Sequence, residues 1–138
     1  MTTADKPEPR PTPDTAPYWE GCAAGELRLP RCGDCGLVFM YPRSLCPECS
    51  SRTIGWLTAS GRGRLHSYLI AHRPARGFED ETPYAIAIVA LEEGPHLMSN
   101  IVGVPNDPDH LVLDMPLEVV FELHGSTSVP KFRPAVHA

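Results

Sequence analysis

The sequence predicts a mainly β protein with a short N-terminal helix, a zinc ribbon and a small closed or half-closed barrel. Three observations carry this. Cys32-Gly33-Asp34-Cys35 and Cys46-Pro47-Glu48-Cys49 place two Cys-x-x-Cys pairs ten residues apart. From Thr58 onward every run has strand or turn character, and none sustains a helical period. A chain of 138 residues leaves room for one compact unit, or for a small metal module joined to one small domain.

Taken in order, residues 1–16 are a proline-rich lead. Lys6 onward reads K-P-E-P-R-P-T-P-D-T-A-P, where proline at nearly every second place fixes φ and removes donors. An extended, disordered or polyproline-like segment is expected. Residues 17–27 read as a docking helix: Pro17 suits its first turn, and Trp19, Cys22, Ala23 and Leu27 share a face. Gly21 and Gly25 weaken it, so it forms by packing on something else. Cys22 stands outside the paired cysteines. No base or cation neighbours it in the sequence, so it reads as buried and inert.

Residues 28–57 are the ribbon, with a strand expected at 37–41 between the knuckles and a lead-out at 54–57. Phe39, Tyr41 and Trp56 are expected to cover the metal cage and attach it to the barrel; stacking on nucleic acid is the alternative use of such rings. Two knuckles bring four thiolates to one tetrahedral ion, and Gly36, just past Cys35, suits the tight turn because it takes a positive φ without a Cβ clash. Ser50 fits the same place in the second turn less well. Zinc is the natural ion for four thiolates with no open position, which makes the site structural. Iron fits the same cage, as in rubredoxins, and the spacing leaves that choice open. Two disulfides would close small strained rings, in a chain with no mark of secretion. The ribbon has few apolar residues, so the metal supplies most of its folding energy, on the order of 10–16 kcal/mol.

Residues 58–125 are the barrel. Ser60-Gly61-Arg62-Gly63 is a bend or bulge, and a strand follows to His72. The loop beyond it carries Arg73, Arg76, Gly77 and Phe78 with the acids Glu79, Asp80 and Glu81, and it is expected to be mobile until it meets a partner. Residues 84–91, Y-A-I-A-I-V-A-L, form the near-continuous apolar run of a strand buried on both sides. Glu92 and Glu93 turn the chain as solvated charges, and residues 96–104 return as the hairpin partner. Residues 117–123 alternate with Glu118 and Glu122 outward, and the tail 126–138 holds Phe132 between Pro130 and Pro134 for extended docking.

Charge is uneven along the chain. Residues 1–25 carry −2, residues 26–76 carry +5 and residues 77–138 carry −8, within a total of −5. A basic middle followed by an acidic half suggests an oriented contact surface. No stretch approaches the roughly 20 apolar residues of a membrane span. The N-terminus lacks the apolar core of a signal peptide, and cysteines kept reduced for a metal point to the cytoplasm.

Several stretches together resemble the family catalogued as domain of unknown function 35. They are Tyr18-Trp19-Glu20-Gly21, Arg31 through Gly36, Cys46-Pro47-Glu48-Cys49, Ser60-Gly61-Arg62-Gly63, His72-Arg73-Pro74, Pro83-Tyr84, Glu93-Gly94-Pro95 and Met115 through Val119. The resemblance spans about residues 17–134. It implies an N-terminal helix, a rubredoxin-like zinc ribbon with structural Zn2+ on Cys32, Cys35, Cys46 and Cys49, and an acyl-CoA-associated OB-fold barrel. Such proteins accompany thiolase-superfamily or enoyl-CoA-hydratase-like enzymes in acyl-CoA, sterol side-chain or polyketide-type metabolism. Two positions depart from the family pattern: Ser50 stands where glycine usually follows the last cysteine, and Asp114 where glycine is common before Met115. Neither is a ligand.

The sequence offers no G-x-S-x-G elbow, no phosphate-cradling G-x-x-x-x-G-K and no H-E-x-x-H. Its six histidines show no metal-ligand spacing; His66 and His72, six apart, fall on one strand face but read as solvated or hydrogen-bonded. The chain alone is therefore expected not to be a catalyst. The favoured reading is a subunit of a thiolase-superfamily enzyme that helps to form its acyl-CoA site. Trp19 would contact the partner, Arg73 and Arg76 would fork a CoA phosphate, and Phe78 would stack or wedge. A free acyl-CoA carrier is one alternative. A nucleic-acid binder is another, opposed by the acidic second half.

Overall fold

The computed structural model describes residues 6–135. One helix, α1 (Ala16–Ala23), precedes seven strands: β1 (Arg28–Cys32), β2 (Ile54–Thr58), β3 (Arg62–Ala71), β4 (Tyr84–Leu91), β5 (His96–Ser99), β6 (Pro116–His124) and β7 (Thr127–Pro134). β1 and β2 form an antiparallel ribbon, and the other five an antiparallel sheet in the order β5-β4-β3-β6-β7. That sheet curls until its ends meet. Val102 N donates to Phe132 O at 2.8 Å and Phe132 N to Asn100 O at 3.1 Å, so the chain just past β5 is stitched to β7. β3 serves both neighbours by bending, with a bulge between Leu65 and Ser67. The result is mainly β, with a zinc-ribbon region and a curled OB-type barrel.

α1 begins earlier and stops sooner than the sequence suggests. It stops in a Schellman turn, where Glu26 N reaches Gly21 O at 2.8 Å and Gly25 takes φ 77°. Gly25 is therefore its terminator. In so short a helix the buried pair is Tyr18 and Cys22, four apart, while Ala23 is exposed. Gly21 lets Arg28 lie against the helix: a Cβ there would stand 2.7 Å from its side chain.

Among the described residues, one core joins the helix, the ribbon entrance and the barrel. Tyr18 and Cys22 of α1 and Leu27 and Leu29 at the ribbon entrance pack in the same cluster as Leu65, Ala85, Val89, Leu117 and Phe132 of the barrel. Four expectations need correction. Residues 37–41 form no strand; only Val38 bridges to Arg31, through Cys32 N to Leu37 O and Phe39 N to Pro30 O. The hairpin partner of β4 pairs only through Ser99, since residues 100–102 leave to join β7. The C-terminal tail is β7, a full partner of β6 with Phe132 wholly buried. β4 is buried on one face only: Ala85, Ala87, Val89 and Leu91 point inward, whereas Ile86, Ile88 and Ala90 are half-buried.

Residues 6–15 are laid against the barrel as a strap. Lys6, only 4% exposed, is held by Glu81 at 2.5 Å and Glu122 at 2.6 Å. Glu8 accepts from Ser126 N and Thr127 Oγ1, both at 3.0 Å, across the β6–β7 turn. Glu122 thus faces the strap, and Glu118 pairs with Arg133 at 2.7 Å. Residues 1–5, the start of the proline-rich lead, lie outside the described residues.

Candidate metal centre and apolar cleft

The four paired cysteines converge as their spacing requires. All four sulfurs lie within 4.8 Å of one another, with Cys32–Cys49 and Cys35–Cys46 each at 3.6 Å. Zn–S bonds of about 2.3 Å in a tetrahedron put sulfurs roughly 3.8 Å apart, so this cage fits zinc. The two knuckles are near copies. Gly36 N donates to Cys32 O and Ser50 N to Cys46 O, both at 3.0 Å. Within them, Asp34 N and Cys35 N point at Cys32 Sγ, and Glu48 N at Cys46 Sγ, each at 3.4 Å.

Those amides set the charge. The Cys35 N–H leads in pulling the Cys32 thiol down to about 6. Cys49 goes the other way: the Ser51 N–H lowers it, but hydrogen bonding to Cys32, with burial, drives it up to about 12. Four thiolates side by side repel one another, and a divalent cation offsets that repulsion. Cys22 takes no part: it is buried in the core, and burial pushes its thiol up to about 11. The ribbon aromatics divide the expected work. Phe39 is buried, and Trp56 flanks the first knuckle. Tyr41 leaves the cage and ties ribbon to barrel, its hydroxyl accepting from Met98 N at 3.0 Å.

Where α1, the ribbon loop and the barrel meet, they enclose a cleft of about 440 Å³, walled by Trp19, Met40, Tyr41, Phe78, Ile86 and Met98 among others. Trp19 and Phe78 come together here, as neither the helix nor the loop alone could show. Arg73 and Arg76 do not join them. Arg76 lines a separate, polar depression beside the strap, and Arg73 lines neither. The loop is tethered: Phe78 stacks on Tyr84 with ring centroids 5.0 Å apart, and Lys6 Nζ stands 4.6 Å over its ring.

Beneath Phe78 lies a charged cluster with no sequence signal. Lys131 is 4% exposed, and its Nζ donates to Asn100 Oδ1 at 2.6 Å. Burial pushes its amine below the usual lysine range. Burial and the Lys131 charge likewise lower His124. For Lys6 burial works the same way, but hydrogen bonds to Glu122 and Glu81 outweigh it and hold its amine above the ordinary value. Asn100 Nδ2 also donates to Ala85 O, and Asn106 bonds Ala85 N and the carbonyls of Ile101 and Val104. Elsewhere, Glu93 is no free surface charge, since it accepts from Ser60 N at 2.8 Å. His66 sits at the β3 bulge and packs on His96, with centroids 4.4 Å apart, while His72 lies beyond the strand.

Fold and site define the class: a zinc ribbon joined to an OB-fold barrel. Residues 19–55 match the family model described as ChsH2, rubredoxin-like zinc ribbon domain, and residues 56–122 that of ChsH2, C-terminal OB-fold domain. The chain is 42% identical over 92 residues to a DUF35 domain-containing scaffold protein of Methanothermobacter thermautotrophicus, covering 66% of this chain and 68% of that one. The chain belongs to the DUF35 family. It is 34% identical over 132 residues to a probable enoyl-CoA hydratase alpha subunit of Thermomonospora curvata, covering 95% of this chain but only 40% of that protein's length. Among solved structures, a chain of the one described as Ltp2-ChsH2(DUF35) aldolase superposes with a TM-score of 0.83 at 33% identity, covering 94% of this chain and 100% of that one. Among the described residues, no helix is long and apolar enough to cross a membrane.

Proposed function

We propose that this protein is a non-catalytic, zinc-braced subunit that binds a thiolase-superfamily enzyme and helps to form its acyl-CoA site. The observation that carries the reading is the apolar outer face of the sheet. Leu69 pairs with Ile86 and Met98 with Ile88, so these four side chains share one face of β3, β4 and β5, and Leu69 and Met98 are 55% and 57% exposed. An apolar strip of this kind on three strands marks an interaction surface. It runs into the cleft, which Ile86 and Met98 also line. The relatives support an enzyme as partner: one is named a hydratase alpha subunit, and a solved structure places a DUF35 chain in an aldolase. Chemistry would fall to the partner, and the reduced metal thiolates suit a cytoplasmic complex.

Co-expression with a thiolase-superfamily enzyme encoded beside it, followed by co-purification and turnover assays, tests this. The partner should be insoluble or slow alone and active in the mixture. Leu69→Glu, on the exposed face away from the cleft, should abolish co-elution while leaving zinc content and the melting temperature unchanged. A partner that is fully soluble and active alone, and never co-elutes, would end this reading.

A further inference from the structure

Lysine occurs twice in this chain, at positions 6 and 131, against ten arginines. Nine of those arginines are exposed and Arg28 is half-buried, whereas both lysines are only 4% exposed. Both also stand against one ring: Lys6 Nζ lies 4.6 Å and Lys131 Nζ 5.5 Å from the Phe78 centroid. The cations that the fold buries are thus ammonium groups, and they meet at a single place.

Three groups grip the Lys6 ammonium. It donates to Glu122 Oε1 at 2.6 Å, lies 2.5 Å from Glu81 Oε2, and sits over the Phe78 face. Charge-assisted hydrogen bonds and a π face suit a compact ammonium with three donors. None of the three groups belongs to the strap. Residues 7, 8 and 10–14 of the strap are exposed, so what it buries is chiefly this one charge. Without Lys6, two partly buried carboxylates would face Lys131 alone, which donates to Asn100 and not to either acid. His124 would not restore the balance, because burial disfavours its cation. Its Nε2, buried 3.5 Å from Glu122 Oε1, has no hydrogen-bond partner among the described residues and adds an acceptor beside the acids. An unmatched buried carboxylate is costly, so this place requires a cation. A cavity of about 300 Å³ is walled by Phe78, Glu81, Glu122 and Lys131 among others, so the same groups face space that the strap does not fill.

We propose that the barrel holds a binding site for a primary alkylammonium and that Lys6 is its tethered occupant. The strap is then a plug, and the ammonium that replaces it is that of a free alkylamine or of a lysine side chain on another protein. This stands apart from the subunit reading, because every group invoked lies in this chain.

The test is chemical rescue of full-length, zinc-loaded Lys6→Ala. Three probes are titrated at constant ionic strength: n-butylammonium, Nα-acetyl-lysinamide and butyltrimethylammonium, which has the charge but no N–H donor. At ten times its half-saturating concentration, n-butylammonium should raise the melting temperature of the variant by about 4–6 °C. It should also restore protection from hydrogen exchange across residues 77–81. Wild type should not respond, since Lys6 fills its site. Acetyl-lysinamide binding more tightly than n-butylammonium would name a protein lysine as the second occupant, and weaker binding a free amine. Adding Glu122→Gln to Lys6→Ala should weaken n-butylammonium at least about tenfold, the worth of one hydrogen bond to a charged group. Should Lys6→Ala fail to fold in buffer alone, n-butylammonium must restore its folded circular dichroism spectrum. No rescue by either primary ammonium, equal rescue by butyltrimethylammonium, an equal response from wild type, or unchanged affinity in the double variant would overturn the proposal.

Discussion

Ser50 and Asp114 are the two residues other than glycine with a left-handed backbone among those described, at φ 62° and φ 67°. Ser50 closes the second knuckle as Gly36, at φ 79°, closes the first, and Asp114 turns the chain into β6. An L side chain pays roughly 1–2 kcal/mol there, and glycine does not, although glycine gives back part of that through its freer unfolded chain. Ser50→Gly should therefore stabilise the protein by about 0.5–1 kcal/mol. Asp114→Gly should gain less, because aspartate tolerates this region better. Thermal melts should show a rise of roughly 2 °C for the first and less for the second; a fall in either would contradict the assignment. Ser50 was legible because it stands where a knuckle turn needs glycine, and Asp114 because it departs from the family pattern. The ligand cysteines were legible for a similar reason, since a metal site writes its geometry into short spacings. Lys6, Asn100 and Lys131 were not, because their partners are remote: Lys6 meets Glu122 from 116 residues away.

At the scale of elements, the strap is what a propensity reading cannot supply. Proline-rich sequence has no reason of its own to be placed, and here two side chains place it. Lys6 ties Glu81 of the loop to Glu122 of β6, so strap and loop are held together and Phe78 is kept over the cleft. Lys6→Met should destabilise by about 1–3 kcal/mol, the cost of leaving two partly buried carboxylates without their donor. It should also raise hydrogen exchange across residues 77–81, and equal protection in both proteins would show that the loop is held by other contacts. The short β5 has a physical cause outside its own pattern. Residues 100–102 carry strand-like residues, but their backbone groups are taken by β7. Local pattern reports what a segment prefers, and the closing bonds decide what it does.

For the whole molecule, the ribbon is not an appendage. Leu27 and Leu29 belong to the same core as the barrel leucines, so zinc braces the core as well as its own cage. Loaded protein should melt in a single transition that coincides by tryptophan emission and far-ultraviolet circular dichroism. Chelation should lower that midpoint for both probes together. Two separated transitions would mean that ribbon and barrel fold independently. The general plan of helix, ribbon and barrel was legible from two cysteine knuckles and a row of strands, whereas the shared core depends on contacts between distant segments.

The placement of Cys22 carries one more consequence. With four sulfurs on zinc and the fifth buried at a pKa of about 11, the loaded chain presents no reactive thiol at neutral pH. A maleimide dye would stay silent on it until the ion departs, and would then label the ribbon alone. The protein thereby acts as its own occupancy gauge, turning each lost ion into a countable covalent mark.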